Sequence, residues 1–198
     1  MSSTGRLETF ADGVFAIAIT LLVLGIGLPA RNAALWSALL AQWPALVAYV
    51  VSFLTIGIMW ASHHQMFTVI GRSNMTFAFI NVVFLMVVAF VPYPTEVLAQ
   101  RIASGVDATG ATFLYGAVMV GIAIMFNVIW GYASGGGGRL LRPGLDPLAV
   151  AAGAHGYRYG PPGYVLITLL AFVSPVLSLA GFAAFAVYWV LPKGGASD

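Results

Sequence analysis

Residues 5–28 read GRLETFADGVFAIAITLLVLGIGL and join a charged start to an apolar segment long enough to cross a bilayer. No charged residue lies between Gly13 and Leu28. About 20 consecutive apolar residues span the hydrocarbon core of a membrane. Arg6 and Asp12 lie at the entrance to this segment, and an unpaired charge costs at least ~2.5 kcal/mol near the bilayer centre. The stretch predicts a first transmembrane helix and a functional or partnered Asp12.

The overall composition is that of an integral membrane protein. Of the 198 residues, 61% are hydrophobic and 7% are charged, whereas a soluble domain has about 25% charged residues. Eight Lys and Arg residues are spread over the whole chain, so they form no patch that could neutralise a run of phosphates, and nucleic acid is not expected as a partner. The absence of cysteine excludes disulfides, thiolate metal ligands and a cysteine nucleophile.

With about 20 apolar residues taken as the length of one membrane span, the rest of the chain can be divided into further helices. We predict a single transmembrane domain over 1–198 with a flexible loop at 134–161 and helices at about 5–28, 35–67, 74–102, 110–133, 162–174 and 176–191. Pro44 either kinks the second helix or marks its true start. The final apolar run is too long for one upright span, and Ser174-Pro175 favours a hairpin of two short helices. The expected fold is therefore all-α, with six transmembrane helices.

The distribution of basic residues predicts an orientation, because Lys and Arg are enriched on the cytoplasmic side of membranes. With cytoplasmic N- and C-termini, only Arg31 and Arg101 lie outside. The basic residues then inside are Arg6, Arg72, Arg139, Arg142, Arg158 and Lys193. The N-terminus lacks the form of a cleaved signal peptide, so the first helix is expected to remain in the mature protein.

Motifs for enzymatic chemistry are missing from the sequence. It contains no Walker loop, no zinc-ligand spacing and no Gly-x-Ser-x-Gly elbow, so we predict no enzyme activity, no cofactor and no resident metal. His63 and His64 point about 100° apart on a helix and cannot both face one metal ion without partners from elsewhere. Thr55-Ile56-Gly57 is similar to the start of a potassium-channel filter, but it lies inside a continuous apolar helix and is interpreted as a chance match.

The charges at the start of the first helix cannot pair with each other. Arg6 and Asp12 are six residues apart, which is about 600° of helix and leaves their side chains roughly 120° apart. Their partners are expected on other helices or other subunits, or else both residues simply lie in the headgroup zone. The polar side chains expected at the same depth are those of Trp60, His63, His64 and Asn81.

A stripe of apolar residues follows deeper in the first helix. Ile17, Thr20, Leu21 and Leu24 are spaced i, i+3, i+4 and i+7 and share one helix face. Such a stripe ordinarily faces lipid or a packed neighbour. Periodicity alone therefore favours packing over a pore-lining role.

Several segments together resemble a known family. RLETFAD at 6–12, followed by Thr20-Leu21-Leu22, resembles the Arg-x-x-x-Phe-Ser-Asp signature that opens the first helix in prokaryotic relatives of the lysosomal potassium channel, transmembrane protein 175. The segments that extend the resemblance in the same order are WASHHQMF at 60–67, Asn81, FVPYPT at 90–95, LYG at 114–116 and WGY at 130–132.

The resemblance implies a potassium-permeable cation channel in a prokaryotic plasma membrane. Six-helix subunits would form a homotetramer, with the first helix of each lining a central pathway that has no carbonyl filter. Carried onto this chain, Ile17, Leu21 and Leu24 would form the hydrophobic constriction and gate, and Thr20 would supply a pore hydroxyl. The interhelical network holding the first helix would be formed by Arg6, Phe10, Asp12, Trp60, His63, His64 and Asn81.

Two features qualify what the resemblance implies. The signature serine is Ala11 here, which removes one hydrogen bond, a net effect typically near 1 kcal/mol. Apolar rings offer no charge and exclude ions by size and hydration cost, so these residues alone predict weak selectivity.

Two other classes of function remain open. One is a small proton-coupled secondary transporter that uses Asp12 and a histidine, although the sequence shows neither a broken helix in mid-membrane nor inverted repeats. The other is a membrane scaffold or enzyme subunit without ion flux.

Overall fold

The computed structural model describes residues 3–29, 31–146, 150 and 156–190. These residues are almost entirely helical, and within them the sole β-pairing is an isolated antiparallel bridge between Ile70 and Leu141. The α-helices, in chain order, are α1 (Gly5–Leu21), α2 (Leu35–Ala41), α3 (Trp43–Val69), α4 (Met75–Phe90), α5 (Pro92–Ser104), α6 (Ala108–Gly138), α7 (Gly160–Leu169) and α8 (Pro175–Val190).

The first helix is shorter than the predicted span of 5–28. After Leu21 the chain tightens into a 3-10 turn, Leu22–Gly25, and becomes extended at Ile26. Gly25 and Gly27 favour helix poorly, and Pro29 disfavours helical geometry at the residue before it, so the sequence itself ends the helix here.

The predicted helix 35–67 is wrong as one continuous element, and of the two alternatives left open for Pro44 the structure has the second, in which Pro44 marks the start of a helix. The predicted helix is divided at Gln42, whose φ and ψ of −83° and 9° are not helical, and only α3 is of membrane-spanning length. Pro44 lies in the first turn of α3, a position that suits proline because its missing N–H would have no helical partner. The Gln42 amide donates to the Gly27 carbonyl at 2.6 Å and joins this break to the end of the first span.

The predicted helix 74–102 consists of two consecutive helices, α4 and α5. Its start is fixed by Asn74, whose side-chain oxygen accepts from the Phe77 N–H. Pro92 has no N–H to continue the ladder, and the Val91 N–H bonds back only three residues to Val88. The two helices together still form an apolar segment of 30 residues, Met75–Ser104.

The predicted flexible loop 134–161 is partly ordered. Helical geometry is interrupted at Gly135, Gly136 and Gly137, close to the expected end of the fourth span. Leu141 then pairs with Ile70, and helical backbone is present again at residues 156–158 and in α7. Residues 147–149 and 151–155 of the predicted loop lie outside the described part of the chain.

The last two helices fold back on each other as a hairpin. α7 continues into a 3-10 turn, Leu170–Phe172, and α8 begins at Pro175. The Ser178 hydroxyl donates to the Ile167 carbonyl at 2.7 Å across the hairpin. A Cβ at Gly163 would lie only 2.7 Å from the Phe185 ring, so glycine permits this close approach. α7 also packs on α6, where Gly116 leaves room for Thr168.

Four segments are long and apolar enough to cross a membrane, by length and composition: Gly5–Gly25, Trp43–Val69, Met75–Ser104 and Ala108–Gly138. α7 has ten residues and α8 sixteen, so each is shorter than those four. The core between the helices contains buried aromatic side chains, among them Phe15, Phe67, Phe77, Phe84 and Tyr115. Large apolar side chains also cover the outer surface, as expected for a protein whose solvent is lipid.

Candidate functional site

One face of α1 is buried against α3 and α4. Its residues are Ala11, Phe15 and Ala18, and Leu22 continues the same stripe into the 3-10 turn. Phe15 is 1% exposed and lies edge-on to Phe84 of α4, with ring centroids 6.1 Å apart. This face therefore fixes the position of α1 within the subunit.

The opposite face of α1 has no covering element in the described chain. Ile17 is 60% exposed, Leu21 42% and Leu24 75%. Thr20 lies on this surface and donates its hydroxyl proton to the Ile17 carbonyl at 2.9 Å. Its oxygen keeps lone pairs that could accept from water or coordinate a cation. The four stripe residues are thus together on an exposed surface of the single subunit.

Asp12 is bound to α3. The Trp60 indole N–H donates to the Asp12 carboxylate at 2.8 Å, and both residues are exposed. The His64 ring stacks on the same indole, with centroids 6.3 Å apart and planes 24° apart. Asp12 therefore has a partner on a neighbouring helix, and that partner is a neutral donor.

A second polar pair lies deeper, between α3 and α4. His63 and Asn81 are both buried, and His63 Nε2 lies 3.2 Å from the Asn81 side-chain oxygen. The Asn81 amide also donates to the Phe77 carbonyl at 2.8 Å, which orients the oxygen toward the histidine. The described rings that surround His63 belong to Phe15, Phe67 and Phe84. Because the His63 imidazole is hydrogen-bonded and enclosed by aromatic rings, it is suited to holding α1 in position.

Arg6 and Phe10 are not joined to these pairs within one subunit. Phe10 is 53% exposed, on the uncovered side of α1. Arg6 is exposed, and in the described part of the chain its guanidinium has no hydrogen bond or ion pair. The predicted network is thus divided into Asp12 with Trp60 and His64, His63 with Asn81, and two residues that face outward.

A buried hydroxyl cluster was not anticipated from the sequence. Ser52 of α3 lies 2.9 Å from the Thr95 hydroxyl of α5 and donates to the Tyr115 hydroxyl of α6 at 3.1 Å. The sequence does show hydroxyl residues inside its apolar segments, and such residues often form hydrogen bonds between membrane helices, so this pattern could have predicted the cluster. Thr55 is in regular helix close by and donates to the Val51 carbonyl, so the Thr-Ile-Gly segment has no extended backbone.

Comparison with known proteins places this arrangement in a family. A family model described as the endosomal/lysosomal potassium channel TMEM175 matches residues 6–92, from α1 to the start of α5. A potassium channel of Streptomyces collinus is 44% identical over 191 residues, covering 96% of this chain and 92% of that protein. The chain belongs to the TMEM175 family.

Other TMEM175 relatives agree over nearly the whole length. A potassium channel of Chamaesiphon minutus is 40% identical, covering 96% of this chain and 95% of its own. The crystal structure of a lysosomal potassium-selective channel TMEM175 homologue from Chamaesiphon minutus superposes with a TM-score of 0.87 at 38% identity, covering 97% of this chain and 98% of that chain. The fold and the helix order are thus those of a TMEM175-family membrane channel.

The vertebrate members are similar over a shorter stretch and have a different name. The human protein is called an endosomal/lysosomal proton channel, and it is 34% identical over 100 residues, which is 46% of this chain and 20% of the human protein. Members of the family are therefore named either as potassium channels or as proton channels.

Proposed function

We propose that this chain is a subunit of a potassium-permeable cation channel, in which four copies place their α1 helices around a central pathway. The observation that carries the proposal is the contrast within α1. One face is buried in the subunit, and the other leaves Ile17, and Leu24 in the 3-10 turn that continues the helix, more than half exposed. The charged residues of α1 lie at its other end. Fourfold assembly would cover that face with copies of itself.

The constriction is assigned to Ile17, Leu21 and Leu24. Rings of these side chains would block ions by dewetting when narrow and would admit hydrated or partly hydrated ions when wider. The backbone carbonyls of a regular helix accept the helix's own hydrogen bonds and are not free to coordinate an ion, so α1 is unsuited to form a carbonyl filter. Thr20 lies between the apolar rings, and four symmetry-related hydroxyl oxygens could replace part of an ion's hydration shell.

The supporting network is assigned to the polar pairs around α1. Trp60 and His64 would fix Asp12, while Asn81 would fix His63 behind Phe15. Arg6 and Phe10 face away from their own subunit and are proposed to contact the adjacent one. This division gives α1 one set of restraints within the subunit and another between subunits.

The membrane arrangement that fits this proposal has six crossing helices and cytoplasmic termini. The α7–α8 hairpin would supply the fifth and sixth crossings, although each is shorter than the other four. Arg72, Arg139 and Arg142 lie at the same end as the start of α1, as the positive-inside rule requires. The bacterial relatives favour a prokaryotic plasma membrane.

Flux through purified protein in liposomes tests the proposed conduction. We expect potassium efflux down its gradient without coupling to a proton gradient. Proton flux without potassium flux would instead favour the activity for which the vertebrate relatives are named. Saturable, pH-coupled uptake would favour the transporter that uses Asp12 and a histidine. No flux at all would contradict conduction and favour a scaffold.

Assembly and selectivity need separate measurements. Native mass spectrometry of the detergent-purified protein should give a mass of four chains, and a monomer or dimer would contradict the central pathway. The reversal potential in mixed potassium and sodium should show modest discrimination, because apolar rings offer only size and hydration cost. A strong potassium preference would require the Thr20 hydroxyls or another group; the Chamaesiphon homologue is itself named a potassium-selective channel.

A further inference from the structure

Three arginines line one cavity at the end of the helix bundle from which α1 starts. The cavity has a volume of about 540 Å³, and its charged lining consists of Arg72, Arg139 and Arg142. Arg72 lies in the turn between α3 and α4, and the other two follow the end of α6, just after its glycine interruption. All three side chains are exposed. Two chain segments far apart in sequence thus supply one concentrated positive site.

Backbone pairing holds these two segments side by side. The N–H groups of Gly71 and Arg72 both donate to the Leu140 carbonyl, at 3.0 and 3.1 Å, and the Arg142 N–H donates to the Val69 carbonyl at 2.9 Å. A Cβ at Gly71 would lie 2.7 Å from Arg142 Cγ, so glycine allows the arginine stem to cross the turn. The like charges are brought together by the fold itself.

Among the described residues, the cations of this site have no internal counter-charge. The described lining contains neither Asp nor Glu, and none of the three guanidinium groups has a hydrogen bond or ion pair within the described ranges. Asp146 follows Arg142 by four residues but does not line the cavity, and it has a partner of its own. Neighbouring like charges repel one another, so an anion supplied from outside would stabilise the arrangement.

The position of the cavity indicates which anion it would meet. It lies beside the ends of three membrane-length segments: the end of the second at Val69, the start of the third at Met75 and the end of the fourth at Gly138. The Asn74 amide beside it donates to the Tyr132 hydroxyl at 3.1 Å, and tyrosine is enriched at the headgroup level of membranes. The lining also includes Leu141, Leu145 and Val150, an apolar side suited to the glycerol and first acyl carbons of a lipid.

We propose that Arg72, Arg139 and Arg142 bind the phosphate of an anionic phospholipid, such as phosphatidylglycerol. Guanidinium groups match phosphate oxygens in pairs, and basic pockets between membrane helices accept anionic headgroups. A second cavity, of about 360 Å³, shares Arg72 and Arg142 and is lined on its other side by Ser3 and Thr4. The bound lipid would therefore lie against the start of α1 and add to the restraints on that helix.

Lipid binding to the detergent-purified protein tests this site without relying on ion conduction. Native mass spectrometry would measure the fraction of protein with lipid bound as phosphatidylglycerol or phosphatidylcholine is added. The proteins compared would be the wild type, the double variant R72Q/R142Q and the control R31Q/R101Q. The control removes the same charge from exposed arginines outside the cavity. We expect the wild type and the control to prefer phosphatidylglycerol about tenfold, and R72Q/R142Q to lose that preference. Unchanged elution volume and melting temperature would show that the variants fold.

Three results with the two lipids alone would overturn the proposal. The wild type could bind both lipids equally, R72Q/R142Q could retain the full preference, or the control could lose it to the same extent.

A fourth arm of the experiment uses soluble glycerol phosphate as a competitor. Displacement of phosphatidylglycerol at equal concentrations of competitor would assign the cavity to free phosphate esters instead of lipid. Failure to displace it supports a site that needs the lipid tail as well as the phosphate.

Discussion

The two faces of α1 have similar composition but opposite surroundings. Ala11, Phe15, Ala18 and Leu22 are buried against α3 and α4, whereas Ile17, Leu21 and Leu24 remain exposed on the single subunit. Both sets are apolar, so hydropathy does not separate them. The difference arises from what lies opposite: one face meets the Phe84 and His63 rings, and the other is left largely uncovered by the described residues of its own chain. We infer that the first face supports the fold and the second the channel.

The largest expected effect comes from truncating the buried face. Phe15→Ala should lower the free energy of unfolding by about 3 kcal/mol or more, because it leaves a cavity beside His63 and Phe84. Ile17→Ala, two residues away, should cost clearly less, because that side chain is outside the packed core of the subunit and would face the pathway in the assembly. Thermal unfolding of the detergent-purified variants measures both. Equal losses would show that the exposed face is also part of the subunit core.

The buried polar pair should give the next largest effect. Asn81→Leu removes the hydrogen bond of a buried His63 and should cost about 2 kcal/mol, since an unsatisfied buried polar group loses its hydration without compensation. His64→Leu is a control on the neighbouring, exposed histidine and should cost clearly less, because it removes only an exposed stacking contact with Trp60. Thermal unfolding midpoints of the two variants would be compared. Equal destabilisation by His64→Leu and Asn81→Leu would contradict the specific contribution assigned to the His63–Asn81 hydrogen bond.

A smaller effect is expected at the entrance of α1. Trp60→Phe removes the indole donor to Asp12 and should cost about 1 kcal/mol, because the carboxylate lies at an exposed site where water can replace the lost bond. Asp12→Asn keeps an oxygen acceptor for Trp60 and should cost less. If Asp12→Asn proves the more harmful in thermal unfolding, the negative charge itself, and not the hydrogen bond, is what α1 requires.

The smallest effect is expected at Ala11, where the family signature has serine. Ala11 is fully buried, so a new hydroxyl must find an acceptor inside the subunit. Ala11→Ser should raise the unfolding free energy by less than about 1 kcal/mol, because the lost hydration of the buried hydroxyl offsets part of the bond that it restores. Unchanged stability of the assembly and unchanged conductance would show that the lost hydroxyl has no consequence in this chain.

The sequence predicted the helical class and the positions of the long spans, because apolar length and proline placement decide them. It left open whether Pro44 kinks a helix or starts one, and it did not predict the break at Val91; at both places proline lies in a first turn and starts a new helix without ending the apolar run. It also missed the ordered bridge between Ile70 and Leu141, since a pairing between residues so far apart leaves no local pattern.

For the candidate site, helix geometry correctly separated Arg6 from Asp12 and proposed partners on other helices. Trp60 was among those partners, and it is hydrogen-bonded to Asp12. Sequence could not decide which apolar stripe of α1 is exposed, because both faces satisfy the same periodicity. The pore assignment for Ile17, Thr20, Leu21 and Leu24 came from the family resemblance and stays a prediction.

The central claim is that the exposed face of α1 lines the ion pathway. The most direct measurement compares potassium flux in liposomes for the wild type, Ile17→Ser and Ile124→Ser. Ile124 is an isoleucine of similar exposure on α6, outside the proposed pathway. We predict that Ile17→Ser raises basal flux severalfold, because a hydroxyl ring wets the constriction, and that Ile124→Ser leaves it unchanged. Equal flux through the two variants would contradict the assignment of α1 as the pore helix.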